Sequence, residues 1–199
     1  MACEDLSHTL EPILSPLSPR QTATPLVADA RHASAIARPL LDIFVVDDDL
    51  DSRCGVVRVL RHHGARVTVF DRAEPALLLA RSGPPHLIVI DLDLPGMTGF
   101  EAADALKEEG ATEDVPLLVL SRRGDSRTRT AAFAVGADVF LAKPCVTDEL
   151  LAATWSLARR GRAVQDRRAL SSMLRDALVS SRRLETLRRH SVPSTPSSN

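Results

Sequence analysis

Between Leu41 and Ala142, short apolar runs alternate with longer stretches in which apolar side chains recur every three or four residues. Five runs stand out, at residues 43–46, 67–70, 87–90, 117–120 and 139–142. Each is mostly aliphatic or β-branched, too short for a helix and apolar on both faces, the pattern of a strand covered on both sides. The stretches between them predict helices. Val56, Val57 and Leu60 form a stripe that ends at Gly64, residues 73–80 make a second helix, and residues 100–109 a third stopped by Gly110. Residues 131–135 belong to a fourth helix ending at Gly136, and Leu150, Leu151, Thr154, Trp155 and Ala158 share one face of a fifth. Strict β-α alternation with crossovers this short forces a parallel sheet with helices on both sides. The expected fold class is therefore α/β, a doubly wound sheet of five βα units occupying residues 41–160.

The flanks have a different texture. Residues 1–40 carry Pro12, Pro16, Pro19, Pro25 and Pro39 among small polar residues, with too few large apolar side chains to offset the entropy of ordering, so a disordered tail is expected. Residues 191–199 are polar and expected to be disordered as well. Between domain and tail, residues 161–190 predict an Arg-rich helix on which Leu170, Met173, Ala177, Ser180, Leu184 and Leu187 alternate at three and four residues. Such a stripe is expected to dock on its own domain or on a partner helix, which leaves a homodimer open.

Charge sharpens this picture. The chain as a whole is balanced, 25 Lys+Arg against 26 Asp+Glu, yet ten arginines and only three acids fall between Arg159 and His190. That segment is too short for a winged helix and lacks aromatic residues and a reading motif, so nucleic acid is not the expected partner. Cys3, Cys54 and Cys145 share no metal-ligand spacing and suit a reducing cytoplasm. A basic start followed by an apolar run is lacking, as is any apolar segment of membrane-spanning length, so neither export nor membrane insertion is expected.

Candidate chemistry gathers at the strand ends. The first run leads into Asp47, Asp48 and Asp49, the third into Asp91, the fourth into Ser121, and the fifth into Lys143-Pro144. In open parallel sheets the carboxyl ends of the strands form the rim where ligands bind. Carboxylates brought together there repel one another unless a cation joins them, and a hard oxygen site of this kind suits magnesium (Mg2+). Asp91 can then act as a nucleophile toward phosphorus, with the Ser121 hydroxyl and Lys143 ammonium meeting phosphoryl oxygens. Taken singly, Asp91 also reads as a turn starter, Asp47 to Asp49 as a helix N-cap cluster, and Lys143 as a surface lysine.

Taken together, these residues resemble the receiver domain of bacterial two-component response regulators. The resemblance covers about residues 41–160: an acidic pair after the first strand, Asp91 followed by Pro95 and a glycine, Ser121 after the fourth strand and Lys143-Pro144 after the fifth. The separations, 43 residues from Asp48 to Asp91, 30 to Ser121 and 22 more to Lys143, are similar to that family's. The resemblance implies a flavodoxin-like sheet of strand order 2-1-3-4-5. It implies Asp91 as the phosphoacceptor, served by a sensor histidine kinase, a phosphotransfer protein or a small acyl phosphate. It further implies Asp48 and Asp91 as direct magnesium ligands, the Asp93 backbone carbonyl as another, and Asp47 acting mainly through water. Ser121 and Lys143 would hold the phosphoryl group, Phe140 would match the aromatic switch, and the fourth and fifth helices would carry the change to a downstream protein partner. The chain would thus be a phosphoacceptor signalling domain and not a dedicated enzyme.

One departure stands out. Arg122 follows Ser121 where the family usually has a small residue, and with Arg123 and Asp93 it occupies positions resembling those that set the lifetime of the acyl phosphate. An unusual lifetime is expected. Two alternatives remain: a DNA-binding regulator using the Arg-rich helix, and a magnesium phosphohydrolase, because Asp91-x-Asp93 superficially resembles the haloacid dehalogenase superfamily. Against the latter, the acidic pair comes from the first strand and Pro95 interrupts the expected motif.

Overall fold

The computed structural model describes residues 40–190, with side chains through Arg183. The tails expected to be disordered, residues 1–40 and 191–199, lie outside the described residues apart from Leu40. Elements alternate as the hydrophobic pattern requires: β1 (Asp42–Val46), α1 (Leu50–His62), β2 (Arg66–Phe70), α2 (Ala73–Ser82), β3 (Leu87–Ile90), α3 (Gly99–Glu108), β4 (Leu117–Ser121), α4 (Ser126–Ala134), β5 (Val139–Ala142) and α5 (Thr147–His190). All pairings are parallel, in the order β2-β1-β3-β4-β5. Ile43 is level with Val67 on one side and Leu87 on the other, which brings the carboxyl ends of β1 and β3 together.

Successive strand residues face opposite sides, so each strand feeds two cores. Phe44, Val46, Ile88, Ile90, Leu117 and Val119 pack against α2 and α3 on one face. Ile43, Val45, Leu87, Val89, Leu118 and Leu120 pack against α1 and α5 on the other. Burying side chains of this size stabilises by about 1.5–3 kcal/mol each, so the central strands are the firmest part of the molecule.

Helix starts are set by local chemistry. The Asp49 carboxylate accepts from Ser52 N at 2.9 Å and caps α1. Thr98 and Glu101 form a reciprocal capping box on α3, and the Asp125 carboxylate accepts from Thr128 N at 3.0 Å at the start of α4. The fourth helix thus starts five residues before the stretch predicted from residues 131–135. Only Ala132 of α4 is buried, so its first turn offers no apolar stripe to read.

The largest difference from expectation lies in α5. The fifth helix and the Arg-rich helix are one continuous element of 44 residues. Its docked part extends to Arg168, and the side chains of residues 169–183 are exposed. Gln165 Nε2 donates to Pro84 O at 3.1 Å and Pro85 O at 2.6 Å. Arg168 donates to Gly110 O at 3.0 Å and pairs with Glu113 and Asp114 at 3.0 and 2.5 Å. A Cβ on Gly161 would stand 2.0 Å from His86 O, so only glycine allows the helix this close to the base of the sheet. Among the described residues no helix is long and apolar enough to cross a membrane.

Candidate functional site

The site is assembled where β1, β3, β4 and β5 end. One carboxylate oxygen from each of Asp47, Asp48 and Asp91 lies within 4.8 Å of the others, with Asp47 and Asp91 buried and Asp48 exposed. Lys143 stands between the two buried acids, its Nζ donating to Asp47 Oδ2 at 2.6 Å and to Asp91 Oδ2 at 2.5 Å. The lysine side chain is 10% exposed and those of the two acids 4% and 2%, so water screens these contacts little. The Lys143-Pro144 peptide bond is cis.

Each acid is held by its own loop. Asp91 Oδ1 accepts from Leu92 N at 2.6 Å and Asp93 N at 3.3 Å, leaving Oδ2 to Lys143. Asp47 accepts from Asp49 N at 3.0 Å and from Ser52 Oγ at 2.7 Å. Gly99, the first residue of α3, permits the third strand's loop to turn: a Cβ there would lie 2.1 Å from Asp91 O and 2.7 Å from Leu92 Cα. The Asp91 backbone is thus seated directly on the helix start.

Ser121 is the last residue of β4 rather than the first residue beyond it. It is fully buried, its Oγ accepts from Arg123 N at 3.2 Å, and it is level with Ala142 just before Lys143. Phe140 points into the core on β5, 4% exposed, with the Arg129 guanidinium 5.3 Å from its ring centroid. Asp93 faces outward and pairs with Arg123 at 2.5 Å, while Arg122 pairs with Asp49 at 2.8 Å. Both arginines therefore reach from the loop after β4 across to the acidic loops. The Ser52 backbone N–H holds the Asp49 carboxyl below its ordinary value, and the Arg122 charge adds to that. Burial pushes the Cys145 thiol up, which disfavours a thiolate there.

The turn and cap readings and the pocket reading thus divide among the acids. Asp49 caps α1, whereas Asp47, Asp48 and Asp91 converge. Ser52 and Arg129 entered the site without having been singled out from sequence. Ser52 carried a signal, three residues beyond a capping aspartate; Arg129 carried none, since it reaches Phe140 only through the tertiary fold.

A groove of about 620 Å³ opens beside the acids, lined by Asp49, Ser52, Val56, Arg58, Arg122 and Lys143 among others. It opens onto the rim from the side of α1.

A doubly wound sheet with three acids and a lysine at this rim defines a phosphoacceptor module. The sequence matches the response regulator receiver domain family over residues 43–154, and the chain belongs to that family. It is a phosphoacceptor signalling module rather than a catalytic enzyme, which displaces the phosphohydrolase reading.

Response regulator MprA of Mycolicibacterium vanbaalenii is 37% identical over 118 residues, covering 59% of this chain and 50% of that protein. Transcriptional regulatory protein PrrA of Mycobacterium tuberculosis is 40% identical over 119 residues, with coverage of 59% and 50%. The chain spans about half the length of these curated relatives.

Among solved structures, chemotaxis response regulator CheY4 of Vibrio cholerae superposes with a TM-score of 0.56 at 27% identity, covering 59% of this chain and 98% of that one. The receiver domain of sensor histidine kinase PA1611 from Pseudomonas aeruginosa, which has magnesium coordinated in its active site cleft, shares the fold with a TM-score of 0.57. There the identity is 24% and the coverage 60% of this chain and 98% of that one.

Proposed function

We propose that this chain is a magnesium-dependent phosphorylation switch in which Asp91 takes the phosphoryl group. The carrying observation is the arrangement of Lys143 Nζ between Asp47 and Asp91, with Asp48 beside them. Three carboxylates sharing one lysine retain negative charge, and an all-oxygen set this close suits a small hard cation. Asp47, Asp48, Asp91 and the Asp93 carbonyl are the proposed magnesium ligands, Asp47 acting mainly through water. When bound, magnesium offsets charge on the acids and on the incoming phosphoryl oxygens.

Asp91 attacks phosphorus in line, the bond from phosphorus to a donor imidazole breaks with its electron pair going to nitrogen, and an acyl phosphate remains. Lys143 and the Ser121 hydroxyl hold the phosphoryl oxygens. The donor is a sensor histidine kinase or a phosphotransfer protein, approaching through the groove at α1. Movement of Ser121 toward the phosphoryl group then biases Phe140 and the α4, β5 and α5 surface between two conformers, altering contacts with a downstream protein.

The test is intact mass after incubation with acetyl phosphate and magnesium. One phosphoryl group is expected on the wild type, none on Asp91→Asn, and none when magnesium is chelated. A wild type that stays unmodified, or an equal adduct on Asp91→Asn, overturns the reading.

A further inference from the structure

Ser52 Oγ lies 2.7 Å from Asp47 Oδ2, the same oxygen that accepts from Lys143 Nζ at 2.6 Å. An ionised carboxylate only accepts, so the serine hydroxyl donates. A serine inside a helix ordinarily gives its hydroxyl to water or to the carbonyl four residues back, here that of Asp48. Ser52, in the first turn of α1, instead reaches outside its own helix to a buried carboxylate five residues earlier.

The rest of Asp47 is fixed by other means. Its backbone N–H donates to Phe70 O at 3.1 Å, and its carbonyl accepts from the Arg53 guanidinium. Its Oδ1 accepts from Asp49 N at 3.0 Å. A carboxylate offers about four lone-pair sites, so Asp49 N, Ser52 and Lys143 leave one open, on Oδ1, which suits contact with a cation through a single water. Ser52 is anchored without its hydroxyl, because its backbone N–H donates to the Asp49 cap at 2.9 Å. It also lines the open groove beside the acids, so truncating it creates no closed cavity. Loss of the hydroxyl therefore frees the Asp47 carboxylate and leaves both backbones in place.

We propose that Ser52 is a positioning residue for the metal site, its hydroxyl fixing the Asp47 carboxylate in the orientation that meets the cation through water. The proposal rests on the reading of Asp47, Asp48 and Asp91 as a magnesium site. Lys143 cannot supply this restraint throughout, since it is shared with Asp91 and is the proposed partner of the incoming phosphoryl oxygens. The Ser52 hydroxyl has one proton, already given to Asp47, and it holds Oδ2 when the ammonium shifts. Groups that orient metal-facing side chains in this way are worth about 10–100-fold in metal affinity.

Mn2+ binding to the full chain without any phosphodonor, followed by electron paramagnetic resonance of the free ion, tests the proposal. Ser52→Ala is expected to bind Mn2+ about tenfold more weakly than the wild type, the low end of that range because Asp49 N still holds Oδ1. Ser52→Thr keeps the hydroxyl and is expected to bind within about twofold of the wild type. Alanine is the better helix former, so the melting temperature by circular dichroism is expected not to fall. With acetyl phosphate as donor, Ser52→Ala is expected to need about tenfold more Mg2+ for half its maximal rate, while that maximal rate stays within about threefold of the wild type. A wild type that binds Mn2+ beside a Ser52→Ala variant that binds it as tightly or more tightly overturns the role of Ser52 and leaves the magnesium site standing. A Ser52→Thr variant as weak as Ser52→Ala overturns it as well, because the hydroxyl is then not what matters. A wild type that binds no Mn2+ at millimolar concentration overturns the site itself, and the proposal with it.

Discussion

Asp47 and Asp91 are buried acids that share one largely buried lysine, while Arg122 and Arg123 sit outside in water, and the two kinds of ion pair do different work. Lys143 compensates charges that would otherwise be costly to bury. The Arg122–Asp49 and Arg123–Asp93 pairs have half or more of each arginine exposed, so each adds little to stability. What they can change is traffic across the rim. Their effect on loss of the acyl phosphate is correspondingly small, a few-fold at most. The Arg122→Ala/Arg123→Ala double variant is expected to lose its phosphoryl group about threefold faster, at unchanged melting temperature. Raising salt should speed the wild type toward the variant, since exposed pairs are screened. A radiolabel chase at low and high salt measures this, and an unchanged loss rate in the variant would count against the role given to Arg122. The residues themselves were legible in sequence because each is polar directly after an apolar run. Their pairing was not: Asp49 and Arg122 are 73 positions apart, and no local pattern encodes which loops of the rim meet.

At the level of elements, the five strands were readable because a strand covered on both faces has no polar side to blur it. β2, at the sheet edge, shows the limit of that rule, with Thr68 and Val69 exposed within an otherwise strand-like run. α4 was foreshortened for the converse reason, its arginines and threonines facing water. The contact that bears most on the proposed chemistry is between elements, where α3 begins against the backbone of Asp91. Gly99→Ala would drive a Cβ into Asp91 O and Leu92 Cα, neither of which is a flexible chain end. The expected cost is about 1–3 kcal/mol of stability, as for other overpacked sites. Displacement of Asp91, the proposed acceptor, should also slow phosphorylation at least tenfold, because misplacement of a reacting group costs rate steeply. Gly110→Ala is the matched control, since its Cβ would meet nothing within 4 Å. Urea titration and phosphorylation rates on both variants check this; a Gly99→Ala protein phosphorylated at the wild-type rate would mean that the loop can reseat itself.

For the whole molecule, the question is where the domain ends. Hydrophobic pattern and family resemblance both put the limit near residue 160, because the last buried apolar residue of the fifth helix is Ala158. The structure adds contacts that are polar and backbone-directed, which a hydrophobic pattern cannot show. Gln165 caps the carbonyls of Pro84 and Pro85, Arg168 ties the loop after α3, and Gly161 lets the helix lie on His86. These contacts tie residues 161–168 to the domain, beyond which α5 continues as an arm whose side chains are exposed through Arg183. Two truncated chains separate the possibilities. A chain ending at Arg168 should melt within about 2 °C of the full chain and accept a phosphoryl group normally, because the side chains it loses through Arg183 are exposed. A chain ending at Arg160 gives up two side-chain hydrogen bonds from Gln165, the Arg168 cluster and the packing of Val164, together about 2–3 kcal/mol. For a domain of this size that loss lowers the melting temperature by about 5–15 °C. Equal melting of the two truncated chains would move the boundary back to residue 160, and would make the clamp at Gln165 and Arg168 a means of aiming the arm rather than of holding the domain together.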